Sequence, residues 1–175
     1  MGEMRIVGIR VDAPQNQPVL LLREAEGPRY LAIWIGQSEA ASIALQQRGI
    51  EPPRPLTHDL IVNLCAAFDQ DLTQVRIVDM QEGTFFAEMV FDSGVVVSAR
   101  PSDAIAVAMR VGAAIVASEE VLADAGLDMP EEDGAGGDEA PTEEELEAFR
   151  EFLDHVSPED FLGPENPGPE SPGAS

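Results

Sequence analysis

Two short segments share one pattern, and each places an acidic residue where a helix is expected to begin. Residues 38–45 and 102–109 both read Ser-acid-Ala-x-x-(Ile/Val)-Ala-(Leu/Met), with Glu39 as the acid in the first and Asp103 in the second. Two neighbouring carboxylates can hold a divalent cation or share a proton. If the two repeated units pack about a pseudo-twofold axis, Glu39 and Asp103 approach each other and form a candidate catalytic pair.

Arg100 and Ser102 surround Asp103 with groups that suit an anionic ligand. An arginine fork binds phosphate, and a carboxylate such as Asp103 can act as a general base or hold Mg²⁺ or Mn²⁺, which activate water for attack on a phosphodiester. The alternative interpretation is structural: Ser102 caps the helix and the helix dipole stabilises Asp103. The same alternative applies to Glu39, and the sequence leaves both interpretations open.

A third candidate group lies in the segment 54–60, Arg-Pro-Leu-Thr-His-Asp-Leu. An imidazole accepts and donates protons near neutral pH, so His58 with Asp59 would handle protons while Arg54 binds phosphate. The alternative is a capping cluster in which Thr57 or Asp59 accepts hydrogen bonds from free N–H groups and His58 bonds locally.

These residues depend on an α+β fold to position them. The pattern of apolar runs and turn residues predicts a compact single domain with a mostly antiparallel or mixed sheet and about four helices. The repeated segment indicates internal duplication of a hairpin-plus-helix unit. Strands are expected at 6–11, 19–22, 30–35, 75–80, 84–91, 95–99 and 113–117, and helices at 38–48, from 57, at 102–109 and from 118 to about 126.

Two helices have distinct packing patterns. In the helix that begins at Thr57, apolar residues at spacings of three and four predict one buried face, formed by Leu60, Ile61, Leu64, Cys65 and Phe68. The lone cysteine of that face is expected to be a small buried hydrophobe. In the helix at 102–109, six consecutive apolar residues, 104–109, predict burial on most sides.

The charge is divided unevenly along the 175 residues. The net charge is -23, of which residues 1–122 carry -7 and residues 123–175 carry -16. This division predicts a domain at 1–126, a flexible acidic linker at 127–141, an acidic amphipathic helical segment at 142–162 and a disordered tail at 163–175.

Charge and hydropathy also exclude some classes of protein. All ten basic residues are arginines and the chain is strongly acidic, which argues against broad affinity for nucleic acid but allows a local arginine-lined site. The sequence shows neither a signal-peptide pattern nor an apolar run of about 18 residues. We therefore expect a cytoplasmic protein that does not bind membranes.

Four segments in the same order resemble the bifunctional nuclease family of bacteria and plants. They are residues 31–36 with Glu39 and Ala40, residues 54–60, residues 84–87 and residues 99–106. The resemblance covers roughly residues 4–125 and implies a compact α+β domain with nuclease activity on DNA and RNA. It assigns no catalytic roles, so those given above for the matching polar positions rest on the residues alone.

The competing hypothesis is a non-enzymatic regulatory or interaction module that forms homo-oligomers. An apolar stripe on the acidic segment 142–162 is typical of a helix that docks on a protein partner, and equally of one packed on its own domain. The stripe consists of Leu146, Phe149, Phe152 and Leu153. In a combined version, the acidic tail folds over an arginine-lined site and blocks nucleic acid.

Overall fold

The computed structural model describes residues 1–12 and 16–128 of the chain. Residues 13–15, between the first two predicted strands, lie outside these residues. The acidic linker from 129 onward, the amphipathic segment 142–162 and the tail 163–175 lie wholly outside them.

Eight strands and four helices form the described part, which confirms the predicted α+β class. The strands are β1 (Gly2–Asp12), β2 (Gln17–Glu24), β3 (Arg29–Trp34), β4 (Leu72–Gln81), β5 (Thr84–Phe91), β6 (Val96–Ala99), β7 (Ala114–Ala117) and β8 (Leu127–Asp128). The helices are α1 (Gln37–Gln47), α2 (Thr57–Ala67), α3 (Pro101–Val111) and α4 (Glu119–Ala125). Strand β8 begins one residue beyond the predicted domain boundary at 126.

One mixed sheet contains all eight strands in the order β6-β5-β4-β7-β1-β2-β3-β8. The pair β4–β7 is parallel and the other neighbouring pairs are antiparallel. Strands β1-β2-β3 and β4-β5-β6 are two meanders, and each leads into a helix, α1 after β3 and α3 after β6. This arrangement is the hairpin-plus-helix unit that the repeated sequence pattern predicts.

Helix α3 is the central packing element of the helical layer. Its residues 104–108 are each at most 1% exposed, as the uninterrupted apolar run predicts. The small alanine side chains let α3 lie close to α1, α2, β4 and β5. Gly112 ends the helix in the left-handed region, with φ of 71°, where a residue without a Cβ is favoured.

Helices α1 and α3 begin earlier than the serine caps predict. The N-cap residues are Gly36 and Arg100, so Ser102 is the second helical residue and is buried. Pro101 takes the first helical position, because its fixed φ and missing N–H suit that place. Ser118, by contrast, caps α4 by accepting a hydrogen bond from the Val121 N–H at 3.1 Å.

Helix α2 does not bury the face that its sequence predicts. Leu60, Leu64 and Phe68 are exposed, while Ile61 and Cys65 are half-buried. The helix packs mainly against α3, so only the side of the apolar stripe that faces α3 is covered. Spacings of three and four predict an apolar stripe along the helix, but they do not show which side of that stripe faces the core.

Within the described residues, no helix is long and apolar enough to cross a bilayer.

Candidate functional site

Arg100 joins the two acids of the repeated pattern. Its Nη2 donates to Glu39 Oε1 at 2.8 Å and to Asp103 Oδ1 at 3.1 Å, and its Nε donates to Asp103 Oδ2 at 2.7 Å. Glu39 and Asp103 are the third residues of α1 and α3, where the helix dipole favours a carboxylate. The predicted pair of carboxylates is therefore present, but it is bridged by a guanidinium whose side chain is 66% exposed.

His58 supports Asp103 from the interior. The imidazole is buried, its Nε2 lies 3.2 Å from Asp103 Oδ1, and its Nδ1 lies 2.9 Å from Ser42 Oγ. An ionised Asp103 only accepts hydrogen bonds, so we assign the proton to Nε2. In the neutral ring, Nδ1 then accepts a hydrogen bond from the Ser42 hydroxyl.

Arg110 completes the arrangement at its buried end. Its Nε donates to Asp59 Oδ1 at 2.5 Å, its Nη2 to Ser42 Oγ at 2.9 Å and its Nη1 to the Ala106 carbonyl at 2.7 Å. The side chain of Arg110 is 7% exposed. Hydrogen bonds thus join seven side chains, six of them from three helices and the seventh from the N-cap residue of α3. We call this set the polar network: Glu39, Arg100, Asp103, His58, Ser42, Arg110 and Asp59.

The two arginines keep their partner carboxylates ionised. Partial burial acts to raise the pKa of Asp103, but the hydrogen bonds from Arg100 and His58 and the charge of Arg100 outweigh it, and the pKa lies below its usual value. The hydrogen bond from Arg110 likewise lowers the pKa of Asp59 against the opposing effect of burial. Asp103 and Asp59 are therefore both anionic at neutral pH.

The remaining predicted site residues are placed as follows, and their predicted roles stay predictions. His58 does not hydrogen-bond Asp59, because consecutive residues of a helix point about 100° apart, and Asp59 pairs with Arg110 instead. Arg54 lies exposed between α1 and α2 and makes no hydrogen bond or ion pair with the described residues. Ser102 is buried at the start of α3 and lies outside the polar network.

Asp59 also bears out part of the capping interpretation. Its Oδ2 accepts the Leu56 N–H at 2.8 Å, at the start of α2. The same carboxylate therefore closes the first turn of the helix and anchors Arg110.

Ser42 and Arg110 were missed because the sequence argument concentrated on the starts of the helices, and both residues lie further along α1 and α3. The spacing of each residue from a predicted acid could have identified both. Ser42 follows Glu39 by three residues and Arg110 follows Asp103 by seven, spacings that place each pair on one helix face.

Glu39 and Asp103 are the donors that the network could offer to a cation. Mg²⁺ is commonly held by one or two carboxylates, with water completing the shell. Both carboxylates now bind Arg100, whose exposed side chain would have to move away for an ion to lie between them. No cluster of three or more His, Cys, Asp and Glu side chains suited to a metal occurs in residues 1–12 and 16–128.

Comparison with known proteins places the chain in a family. The profile described as the bifunctional nuclease domain matches residues 20–130. The chain belongs to the bifunctional nuclease domain family. Every member of the polar network lies inside the matched residues of this bifunctional nuclease domain.

Two Mycobacterium tuberculosis proteins, both described as uncharacterized, are similar to this bifunctional nuclease domain protein over most of its length. One is from strain CDC 1551 and the other from strain H37Rv. Each is 64% identical over 161 residues, which cover 92% of this chain and 98% of the relative. The similarity therefore extends beyond the matched domain.

Proposed function

We propose that this protein hydrolyses phosphodiester bonds in DNA or RNA at the surface formed by Arg100, Asp103 and Glu39. The exposed Arg100 guanidinium, held between two carboxylates at the starts of α1 and α3, carries this proposal. A guanidinium fork binds two phosphate oxygens at once, and an adjacent carboxylate is placed to orient a water molecule. Membership of a family described as a nuclease supports the same conclusion.

Asp103 is the general base in this proposal. When Arg100 turns to the phosphate, Asp103 loses hydrogen bonds that hold its pKa low, and it becomes a stronger base. Asp103 takes a proton from water, the water oxygen bonds to phosphorus, and the phosphorus bond to the departing sugar oxygen breaks. The departing oxygen takes a proton from solvent.

His58 is a positioning residue rather than a proton carrier. Both ring nitrogens are engaged within the protein, by Ser42 and Asp103, and the ring is buried. The imidazole therefore fixes the rotamer of Asp103. Arg110 is bonded to Asp59 and donates to Ser42, so these residues hold the hydroxyl that contacts the imidazole.

A divalent cation such as Mg²⁺ or Mn²⁺ belongs to the same proposal. Its protein ligands would be Glu39 and the Asp103 oxygen that does not take the proton. It would lower the pKa of bound water and offset charge on the phosphate. Displacement of Arg100 from the two carboxylates would then couple phosphate binding to cation binding.

The test is cleavage of labelled single-stranded DNA, duplex DNA and RNA by the full chain with Mg²⁺, Mn²⁺ or a chelator. We expect metal-dependent cleavage of at least one substrate, and a rise in KM with Arg100→Gln. Arg48→Gln, which removes an exposed arginine outside the polar network, is the matched control. Folded protein that cleaves none of the substrates would contradict the proposal, as would an Arg100→Gln protein with unchanged kinetics.

A second candidate function is a non-enzymatic interaction module. The exposed Leu60, Leu64 and Phe68 on α2 favour it, because contiguous exposed apolar side chains mark binding surfaces. The predicted acidic segment 142–162 adds a sequence feature of the same kind. A folded chain without cleavage activity would favour this candidate over the nuclease.

A further inference from the structure

Strands β2 and β3 are apolar on both of their faces. Side chains alternate along a strand, and one set of alternating residues joins α3 in the main core. The other set forms a separate cluster, to which, among the described residues, only β2, β3 and β8 contribute. We call this cluster the outer face: Val19, Leu21, Tyr30, Ala32, Trp34 and Leu127.

The centre of the outer face is buried as deeply as the main core. Val19 is 0% exposed, and Leu21 and Ala32 are each 5% exposed. Five consecutive residues of β2, 18–22, are buried. A strand with one face in water alternates apolar and polar residues, whereas a continuous apolar run is typical of a strand covered on both sides. The sequence of β2 therefore indicates that an element covers the outer face.

The described chain ends at the outer face. Leu127 belongs to the cluster, and β8 pairs it with Tyr30 of β3. The thirteen residues 129–141 follow Asp128 and can span up to ~45 Å when extended. The segment 142–162 is therefore tethered within reach of the face, and a short tether gives a local concentration in the millimolar range.

Arginines lie around the apolar centre of the outer face. Antiparallel pairing places Arg5 opposite Arg23 and Arg10 opposite Val19, and the partners in such a pair share a face. The Arg23 guanidinium carbon lies 5.7 Å from the centre of the Tyr30 ring, a cation–π contact. Within residues 1–12 and 16–128, none of these three arginines forms an ion pair with a carboxylate.

The segment 142–162 complements the outer face in both hydropathy and charge. It contains eight Asp and Glu residues and one Arg. The arginines of the face outnumber Glu3, the acid that alternation along β1 places beside them. The apolar side chains of the segment are Leu146, Phe149, Phe152 and Leu153, at the spacings of one helix face.

We propose that the segment 142–162 docks on the outer face of its own chain. Its apolar stripe covers the buried centre of the face, and its carboxylates lie beside the arginines of β1 and β2. Nucleic acid would pair with the same arginines, but its phosphates cannot cover an aliphatic centre. The polar network lies in the helical layer on the other side of the sheet, so the inference stands whether or not the protein is a nuclease.

Trp34 is the only tryptophan of the chain and lies on the outer face, so its fluorescence reports the cover. In the full chain we expect emission at short wavelength and slow quenching by acrylamide. A double variant, Phe149→Glu with Phe152→Glu, should shift the emission to longer wavelength and raise the quenching constant at least ~2-fold, because the indole loses its apolar cover. Ala135→Glu with Ala140→Glu adds the same charge outside the segment and is the control.

A second pair of variants tests the contribution of charge. Arg5→Glu with Arg23→Glu places two carboxylates beside the acidic segment, and both arginines are exposed in the fold. Like charges repel, so this protein should also show faster quenching of Trp34. Arg48→Glu with Arg54→Glu changes two exposed arginines away from the outer face and should quench like the native chain. Identical quenching of the two double variants would contradict the assigned role of the arginines.

Circular dichroism establishes that each variant is folded, so that quenching reports the cover alone. Equal quenching of Trp34 in the native chain and in the Phe149→Glu, Phe152→Glu protein would overturn the proposal. Cover that is lost on dilution from about 50 μM to about 1 μM would overturn it in favour of a second copy, since docking of a tethered segment is independent of concentration. A Trp34 that is accessible in the native chain and becomes protected when DNA or RNA is added would overturn it in favour of nucleic acid. Absence of cleavage activity changes none of these readings and bears on the proposed function alone.

Discussion

Asp103, His58 and Ser42 are joined in that order by hydrogen bonds. Arg100 bonds to Asp103 at one end and Arg110 bonds to Ser42 at the other, and the two arginines differ in their exposure and therefore in their roles. Arg110 is 7% exposed and its three bonds hold Asp59, Ser42 and the α3 backbone together, whereas Arg100 is 66% exposed. A buried arginine with all its partners inside the protein stabilises the fold. An exposed arginine is available to an incoming phosphate.

This difference predicts unequal effects on stability. Arg110→Met should lower the free energy of unfolding by about 2–3 kcal/mol, because it leaves Asp59 and Ser42 without a charged donor. Arg100→Gln should lower it by less than about 1 kcal/mol, since its ion pairs are solvent-screened. Urea unfolding measures both values, and equal losses would contradict the division of roles.

Acid should destabilise the protein through Asp59 and Asp103. Both carboxyls have a pKa below the unfolded value of about 3.9, so the native state binds fewer protons than the unfolded state in that range. Their stabilisation is complete well above that value and is lost as the pH falls through it towards the folded pKa values. Unfolding free energies measured in this acidic range should fall less steeply in Arg110→Met, and an unchanged slope would argue against the Asp59–Arg110 pair as a cause.

At the scale of elements, the sequence predicted the helices and strands whose type is determined by their own residues. The apolar run of 104–109, which follows the predicted cap Ser102, predicted a helix buried on most sides, and the two meanders followed from alternating runs and turns. The exposure of Leu60 and Leu64 depends on which side of α2 packs against α3. The spacing of apolar residues in the sequence gives no information about that packing. Likewise, the Glu39–Arg100–Asp103 bridge needs the packing of α1 on α3, although the sequence pattern had predicted that the two acids approach each other.

The central position of α3 gives a prediction for its side chains. Ile105→Ala should cost about 2–5 kcal/mol of stability, because Ile105 is fully buried and its neighbours leave a cavity. Val111→Ala, at the exposed end of the same helix, should cost much less. Similar costs at the two positions in thermal or urea unfolding would contradict the packing described for α3.

At the scale of the whole molecule, charge limits how nucleic acid can approach. The chain carries a net charge of -23, and residues 1–122 carry only -7 of it. Long-range repulsion therefore opposes a polyanion, and binding depends on short-range contacts at an arginine-lined surface. Arg100, at the junction of β6 and α3, is the exposed arginine of the polar network that meets this need.

The most direct test of the proposed chemistry is the cleavage rate of Asp103→Asn measured beside Asp124→Asn. Both substitutions remove one carboxylate charge, and Asp124 is exposed on α4, outside the polar network. With both proteins folded, we predict that Asp103→Asn loses at least ~100-fold in rate, the scale of a lost general base, while Asp124→Asn cleaves like the native chain. Equal cleavage by Asp103→Asn and the native chain would contradict the assignment of catalysis to Asp103.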